Sequence, residues 1–262
     1  MRSAGQLLWL GASIVSLFSL LLFAFGFVLA LNPQFLGPAA TQAPEGDHTA
    51  PSTSPSENGP YNIVALGDSL TRGSGDANGQ GYAGRVRQNL EEKGERTIRF
   101  TNLAVNGMKS NELLQQLDLE QVQKLVAEAN LILFTIGGND LFQQTAGLYV
   151  LDEKKLAETA EQLAANYEAI FKRIRSLNQD ATIIYTSLYN PFGDTEAAED
   201  TVKPVLDWNS TAAKIAAEYG GVVVPTYDLF VNKEQKYLYS DHFHPNADGY
   251  ARIAERILQA LQ

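Results

Sequence analysis

The chain has 262 residues, 45% hydrophobic and 19% charged, which is enough apolar material for a sizeable core and excludes a wholly disordered protein. Its formal net charge of −10 disfavours a broad nucleic-acid-binding surface, because such surfaces need clustered Lys and Arg. The absence of Cys excludes disulfides, Cys-ligated zinc, iron–sulfur clusters and a Cys nucleophile. An imidazole base must be one of three His: His48, His242 or His244.

The first predicted element is a hydrophobic N-terminal segment. Leu7 to Leu31 is a run of 25 residues without a charge. A bilayer-spanning helix needs about 20 apolar residues, whereas the apolar part of a secretory signal has about 7–15. We therefore expect residues 1–31 to be a membrane anchor, with a cleaved signal segment as the alternative. Arg2 precedes the run and the next basic residue is Arg72, so the positive-inside rule predicts an extracytoplasmic location for the rest of the chain.

Residues 32–60 are rich in Pro, Ser and Thr and predict a disordered linker. His48 lies in this linker and is expected to be a solvated residue without a chemical role. The globular domain is then predicted to cover residues 61–262. It would be held at the membrane by the anchor, or secreted if the segment is cleaved.

Short apolar runs alternate with segments of helical periodicity in residues 61–262. Continuous apolar strands that alternate with helices predict a parallel sheet covered on both faces, with functional side chains in the loops at the carboxyl ends of the strands. The predicted strands are Tyr61–Leu66, Thr97–Val105, Leu131–Ile136, Thr182–Ser187 and Val222–Val224. The predicted helices are Tyr82–Lys93, one or two within Asn111–Ala129, one from an N-cap at Asp152 to about Leu177, Val202–Tyr219, and one from Asn246 or Ala247 to Leu261.

A serine follows the first strand directly, in Gly67-Asp68-Ser69-Leu70. A Ser in a turn at this position can project its hydroxyl into an open cleft. The segment is not the Gly-x-Ser-x-Gly nucleophile elbow, because Thr71 stands where the second Gly should be. The nearby glycines also fail both phosphate-loop patterns. A flexible turn without chemistry is the alternative interpretation.

The segment Asp241-His242-Phe243-His244-Pro245-Asn246 precedes the last predicted helix. An Asp three residues ahead of a His can bind the imidazole nitrogen remote from a nucleophile, which fixes the tautomer that accepts a serine proton. Without such a base a Ser hydroxyl is a weak nucleophile near neutral pH. A metal site made of Asp241, His242 and His244 is one alternative, although no further cluster of ligands is evident. An ordinary turn with an N-cap is another.

Two further loops carry candidate hydrogen-bond donors. Asn106-Gly107 follows the second strand and Gly137-Gly138-Asn139-Asp140 follows the third. Acyl transfer places negative charge on the former carbonyl oxygen, and that charge needs preorganised donors. The backbone N–H of Gly107 and the amide of Asn139 suit this task, although each segment taken alone also reads as a plain turn.

Together the four segments resemble the SGNH superfamily, also called the GDSL lipases/esterases, over essentially all of residues 61–262. Among its members, bacterial lysophospholipase-like esterases are the most similar. The family's four marker residues match Ser69, Gly107, Asn139 and His244, in that order. The resemblance implies an α/β fold: a three-layer α/β/α sandwich of the flavodoxin-like kind, with a five-stranded parallel sheet.

The resemblance also implies roles for individual residues. Ser69 would be the nucleophile, His244 the general base and Asp241 its orienting partner. The oxyanion hole would comprise the backbone N–H groups of Ser69 and Gly107 and the side chain of Asn139. His242 stands where the family commonly has a small or variable residue. The spacing from Asp241 and the following Pro-Asn select His244 as the base.

The expected function is a serine esterase or lipase that cleaves carboxylic esters through an acyl-serine intermediate, with no metal or organic cofactor. Apolar residues beside these loops could line an acyl pocket, which would favour lysophospholipids or other lipid esters, or could belong to the core. These residues are Leu141, Phe142, Leu148, Tyr149, Val150, Tyr189, Pro191, Phe192 and Phe243. A deacetylase of cell-envelope glycans is the alternative enzyme, and a non-catalytic surface binding protein on a hydrolase fold is the alternative of another class. The expected partners are an ester substrate and the membrane, without nucleic acid.

Overall fold

The computed structural model describes residues 59–94, 97–142 and 153–262. Several predictions lie outside these residues: the anchor or signal segment, the linker up to residue 58 with His48, the N-cap Asp152, and residues 148–150 of the candidate pocket. Within the described ranges, no helix combines the length and the hydrophobicity that crossing a membrane requires.

Five strands form one parallel sheet in the order β2-β1-β3-β4-β5. The strands are β1 (Tyr61–Gly67), β2 (Ile98–Asn102), β3 (Leu131–Thr135), β4 (Thr182–Thr186) and β5 (Gly221–Val224). Every residue of β3 is buried, as the continuous apolar run predicts for a central strand covered on both faces. The strand order is that of flavodoxin-like folds, so the predicted fold class is confirmed.

The described residues contain ten helices. They are α1 (Ser69–Arg72), α2 (Gly81–Lys93), α3 (Ser110–Leu117), α4 (Glu120–Ala127), α5 (Gly138–Phe142), α6 (Glu153–Leu177), α7 (Ala198–Glu218), α8 (Tyr227–Phe230), α9 (Glu234–Tyr237) and α10 (Ala247–Ala260).

The sheet separates two hydrophobic cores because successive strand residues point to opposite faces. On β1, Val64 and Leu66 face the core built with α3, α4, α6 and α7. Ile63 and Ala65 face the core built with α2, α9 and α10. The connection from β1 to β2 runs over one face of the sheet through α2, and the connection from β2 to β3 runs over the other face through α3 and α4. The neighbouring strands β1 and β3 therefore form the point at which the chain changes faces. In open parallel sheets, ligands bind at the carboxyl ends of the strands beside such a point.

The predicted elements within the described residues are observed with somewhat different ends, and the short helices α1, α5, α8 and α9 were not predicted. β2 ends at Asn102 rather than Val105, although the following residues continue to bond to β1: the N–H of Val105 donates to the carbonyl of Gly67 at 2.8 Å. α7 begins four residues before the predicted Val202 and includes Pro204. A turn at residues 195–198 starts this helix early, because the N–H of Ala198 donates to the carbonyl of Thr195 at 3.1 Å.

Candidate active site

Ser69 is the first residue of α1 and follows β1 through a sharp turn. Gly67 has a φ of +108°, and a Cβ at this position would lie 1.9 Å from the carbonyl oxygen of Thr135. Only Gly therefore fits where β1 passes β3. Asp68 caps α1 by accepting a hydrogen bond from the N–H of Leu70 at 3.0 Å. The turn leaves Ser69 at the carboxyl edge of the sheet, 5% exposed.

The structure brings His244 and Asp241 to this serine. His244 Nε2 lies 2.8 Å from Ser69 Oγ, and His244 Nδ1 lies 2.7 Å from Asp241 Oδ2. Burial acts to raise the pKa of Asp241, but hydrogen bonds from the His244 ring and from the N–H groups of His244 and Phe243 outweigh it and lower this pKa. Asp241 is therefore an acceptor, so the neutral imidazole carries its proton on Nδ1 and accepts the Ser69 hydroxyl proton at Nε2.

The loop that carries His244 is held by main-chain hydrogen bonds. The N–H of Tyr239 donates to the carbonyl of His244 at 2.7 Å, and Leu238 and Pro245 form an antiparallel bridge. Asn246 caps α10 and also donates from Nδ2 to the carbonyl of Leu238 at 3.1 Å. His244 lies in a loop, outside the helices and strands, and these hydrogen bonds fix the position of its imidazole.

Gly107 lies in the turn after β2, beside the β1–α1 turn. The N–H of Met108 donates to the carbonyl of Val105 at 3.2 Å, and Gly107 has a φ of +77°. This left-handed φ at the third position of a turn is the one that Gly adopts without strain. Within the described part of the chain, the N–H groups of Gly107 and Ser69 have no hydrogen-bond acceptor.

Asn139 and Asp140 join α5 to the segment that carries Gly107. Asn139 Nδ2 donates to the carbonyl of Met108 at 3.0 Å. The Asp140 carboxylate accepts from Ser110 Oγ at 2.6 Å and from the Ser110 N–H at 3.1 Å. Burial raises the pKa of Asp140, while these hydrogen bonds act in the opposite direction. The separation of the two candidate donor groups, at Gly107 and Asn139, is thus set by contacts with Met108 and Ser110, which directly follow Gly107 in the chain.

The cleft in front of Ser69 is mainly apolar and has an empty volume of about 400 Å³, part of which is open to solvent. Phe142, Tyr189, Pro191 and Phe243, four of the residues for which the sequence left a pocket or a core position open, line it. Two further apolar side chains, those of Leu70 and Leu188, also line the cleft and were not among the candidates. Two other candidates do not line the cleft: Leu141 packs in the core, and Phe192 packs edge-on against Phe142 and Phe243 with ring centroids 5.6 and 6.2 Å away.

The remaining candidates lie apart from this cluster. His242 is exposed and has a φ of +52°, and it makes no side-chain contact with Ser69 in the described structure. Among the described residues, no group of three or more His, Asp or Glu is arranged to hold a metal ion. Sequence reasoning missed the anchoring role of Ser110 and a buried chain of hydroxyls that ends on Asp68. One sequence signal could have indicated both features. Asp68 directly precedes Ser69 and Asp140 directly follows Asn139, so each loop carries a carboxylate next to a candidate site residue.

The chain is similar in sequence and in fold to known lipases and esterases. The model of the GDSL-like Lipase/Acylhydrolase family matches residues 65–252. YpmR, an uncharacterized protein of Bacillus subtilis (strain 168), is 38% identical over 206 residues, which cover 76% of this chain and 81% of YpmR. The spore germination lipase LipC of Bacillus licheniformis is 29% identical over 204 residues, 75% of this chain and 94% of LipC. The crystal structure of the lipase Lip_vut3, from a goat rumen metagenome, has a TM-score of 0.69 and 28% identity, over 76% of this chain and 97% of that one.

Proposed function

Since the chain belongs to the GDSL-like lipase/acylhydrolase family and is a GDSL-type hydrolase, we propose that it cleaves carboxylic esters through an acyl intermediate on Ser69. The observation that carries this proposal is the continuous hydrogen-bonded path from Asp241 through His244 to Ser69, with distances of 2.7 and 2.8 Å. This is the arrangement by which a serine hydroxyl is activated near neutral pH.

In the first step, Ser69 Oγ attacks the ester carbonyl carbon and its proton passes to His244 Nε2. The carbonyl π electrons move to the oxygen, which becomes a tetrahedral oxyanion. The Asp241 carboxylate stabilises the imidazolium that forms. Collapse of the intermediate breaks the bond to the alcohol oxygen, which takes the proton from His244 Nε2 and leaves as the alcohol.

In the second step, a water molecule gives a proton to His244 Nε2 and attacks the acyl carbon. The second tetrahedral intermediate collapses, Ser69 Oγ recovers a proton from His244, and the carboxylic acid leaves. The N–H groups of Ser69 and Gly107 and the amide of Asn139 are proposed to bind the oxyanion in both steps. Removing one such donor costs on the order of 10²–10³ in rate.

We propose a lipid ester, such as a lysophospholipid, as the substrate. The apolar lining of the cleft supports an aliphatic acyl group, because burial of each CH₂ contributes about 0.8 kcal/mol. The name of LipC, a spore germination lipase, points in the same direction. An acetylated glycan would leave most of this apolar surface unfilled, so comparing release of acetate from a glycan with release of a longer acyl chain tests the choice.

We also propose, from the sequence alone, that residues 7–31 hold the enzyme at a membrane with the hydrolase domain outside the cytoplasm. The charge-free run of 25 residues supports this location. Fractionation of cells and the mass of the mature protein test it. Recovery of the full chain in the cytosolic fraction would contradict it.

Labelling by a fluorophosphonate probe tests the esterase proposal directly, because the probe reacts only with an activated serine. We expect Ser69→Ala to abolish labelling, and His244→Ala to lower hydrolysis of a short aryl ester roughly 10⁴-fold or more. The matched control is His242→Asn, which keeps a residue type that tolerates positive φ and should retain most of the activity. Hydrolysis by the Ser69→Ala protein at the wild-type rate would refute the mechanism, and a chain that never labels would favour a non-catalytic binding protein.

A further inference from the structure

Asp68 is a carboxylate beside the nucleophile that the proposed reaction does not use. Asp68 is only 2% exposed, and this burial raises the pKa of its carboxyl group. One of its oxygens, Oδ1, accepts two hydrogen bonds, from the N–H of Leu70 at 3.0 Å and from Thr135 Oγ1 at 2.6 Å. The other oxygen, Oδ2, has no hydrogen-bond donor in the described structure.

A buried row of hydroxyls fixes the orientation of this carboxylate. Thr135 Oγ1 lies 2.8 Å from Thr71 Oγ1, which in turn contacts the hydroxyl of Tyr82. Each hydroxyl has a single proton. Since Thr135 donates to Asp68, Thr71 donates to Thr135 and Tyr82 donates to Thr71. The side chains come from β3, α1 and α2, so three elements hold Oδ1 in the protein interior.

The second oxygen of Asp68, Oδ2, is available to a ligand in the cleft. Asp68 lines the cleft together with Ser69 and Asn139. Asp140 is a useful contrast, because it is a half-buried carboxylate beside this site whose two oxygens both accept hydrogen bonds from Ser110, and it does not line the cleft. Oδ2 has no protein donor but is not among the fully enclosed unpaired atoms of the described residues, so it stays accessible from the cleft. A bound substrate that excludes water from this oxygen must supply a hydrogen-bond donor in its place, or leave the oxygen unpaired at a cost.

We propose that Asp68 is a substrate-binding residue whose Oδ2 accepts a hydrogen bond from a free hydroxyl next to the ester oxygen of the substrate. The inference rests on the proposed esterase function and narrows its substrates to partly acylated polyols. Glycerol esters and sugar esters share this chemistry, since both carry a hydroxyl on the carbon adjacent to the acylated one. A simple alkyl ester lacks the donor and leaves Oδ2 unpaired.

The test compares kcat/KM for three butyrate esters: monobutyrylglycerol, a monobutyryl glucose and propyl butyrate. Propyl butyrate has the carbon skeleton of the glycerol ester without its hydroxyls. We expect the wild-type protein to prefer at least one polyol ester over propyl butyrate by roughly ten- to a hundredfold, the range for a hydrogen bond to a charged group. The polyol with the larger preference identifies the glycerol or the sugar class.

Two variants and one control assign the preference to Asp68. Asp68→Ala should reduce the preference to near unity. Asp68→Asn keeps an oxygen for Leu70 and Thr135 but replaces the second acceptor with a donor, so it should lower the preference even if the Ala variant does not fold. Asp140→Asn, at the neighbouring half-buried carboxyl, should keep the wild-type ratio whatever its effect on the rate.

The outcomes separate this inference from the proposed function. Equal rates on polyol and alkyl esters in the wild-type protein, or a preference that survives both Asp68 variants, would overturn the role of Asp68 while leaving the esterase intact. Absence of hydrolysis of all three esters, together with absence of fluorophosphonate labelling, would overturn the esterase proposal itself.

Discussion

The hydroxyl of Tyr167 is buried in the core of the α6 face without a hydrogen-bond partner among the described residues. Its ring packs edge-on against Phe171, Tyr185 and Trp208 at centroid distances of 5.1, 4.9 and 5.2 Å. Tyr167→Phe removes the unpaired oxygen and retains these ring contacts. Because an unsatisfied buried polar group costs about 1–3 kcal/mol, we expect the free energy of unfolding to rise by about 1–2 kcal/mol after the small loss of packing.

Tyr185 provides the matched control, because it is equally buried and touches the same ring. Its hydroxyl donates to the carbonyl of Ile136 at 2.8 Å and accepts from Trp208 Nε1 at 2.9 Å. Tyr185→Phe deletes the same oxygen atom but leaves two buried groups unpaired. We expect this variant to lose about 2–4 kcal/mol of stability. Removal of the hydroxyl from two tyrosine rings in contact should therefore change the free energy of unfolding in opposite directions.

Thermal and urea denaturation of the two variants and the wild type measure both effects. For a domain of about this size, each kcal/mol shifts Tm by about 2–4 °C. A Tyr167→Phe protein destabilised as much as Tyr185→Phe would mean that the Tyr167 hydroxyl has a partner in solution.

Two further predictions concern the segment between α1 and α2. Gly75 has a φ of +87° and a Cβ there would lie 2.9 Å from the His244 Cβ, so Gly75→Ala should displace the imidazole and lower kcat/KM on a short aryl ester by roughly a hundredfold. Gly79→Ala, at a φ of +62° with no atom within 4 Å, has similar backbone strain without the clash and should keep the activity. Burial acts to raise the pKa of Asp76, but its hydrogen bond and ion pair with Arg85 outweigh it and lower this pKa. Because its pKa is lowered in the folded state, the Asp76 carboxylate stabilises the fold at pH values above its unfolded-state pKa of about 3.9. This stabilisation is lost as the pH falls below that value. Asp76→Asn should therefore cost about 1–3 kcal/mol of stability at pH 7, and less on acidification below about pH 4. Urea denaturation across pH checks the sign, and a difference that grows on acidification would contradict it.

The sheet was predictable because its signal is local. The run Leu131–Thr135 is apolar throughout, and only a strand covered on both faces buries every one of its side chains. The choice of His244 over His242 depended on the spacing from Asp241, which is also local. The structure accordingly brings His244 to Ser69 and leaves His242 exposed.

What could not be predicted depends on contacts between distant segments. The helices α1 and α5 have four and five residues, too few to show a period, and they form where the chain turns out of β1 and β3. The hydroxyl row joins Thr71, Tyr82 and Thr135, which only the fold brings together. Nothing in the sequence distinguishes the bonded oxygen of Asp68 from the free one.

The parallel course of the strands also decides how the enzyme can be attached to a support. β1 enters the sheet at Tyr61 and leaves at Gly67, about 20 Å away at about 3.3 Å per residue. The loops after β1, β3 and β4 that line the cleft leave from the edge at which Gly67 lies, and the loop between α9 and α10 adds Phe243 to the same cleft. A bead, electrode or carrier protein joined ahead of Tyr61 therefore meets the opposite edge, and substrate diffusing from solution reaches Ser69 unhindered. Coupling through the side chains of the Asp241–Asn246 loop would obstruct it.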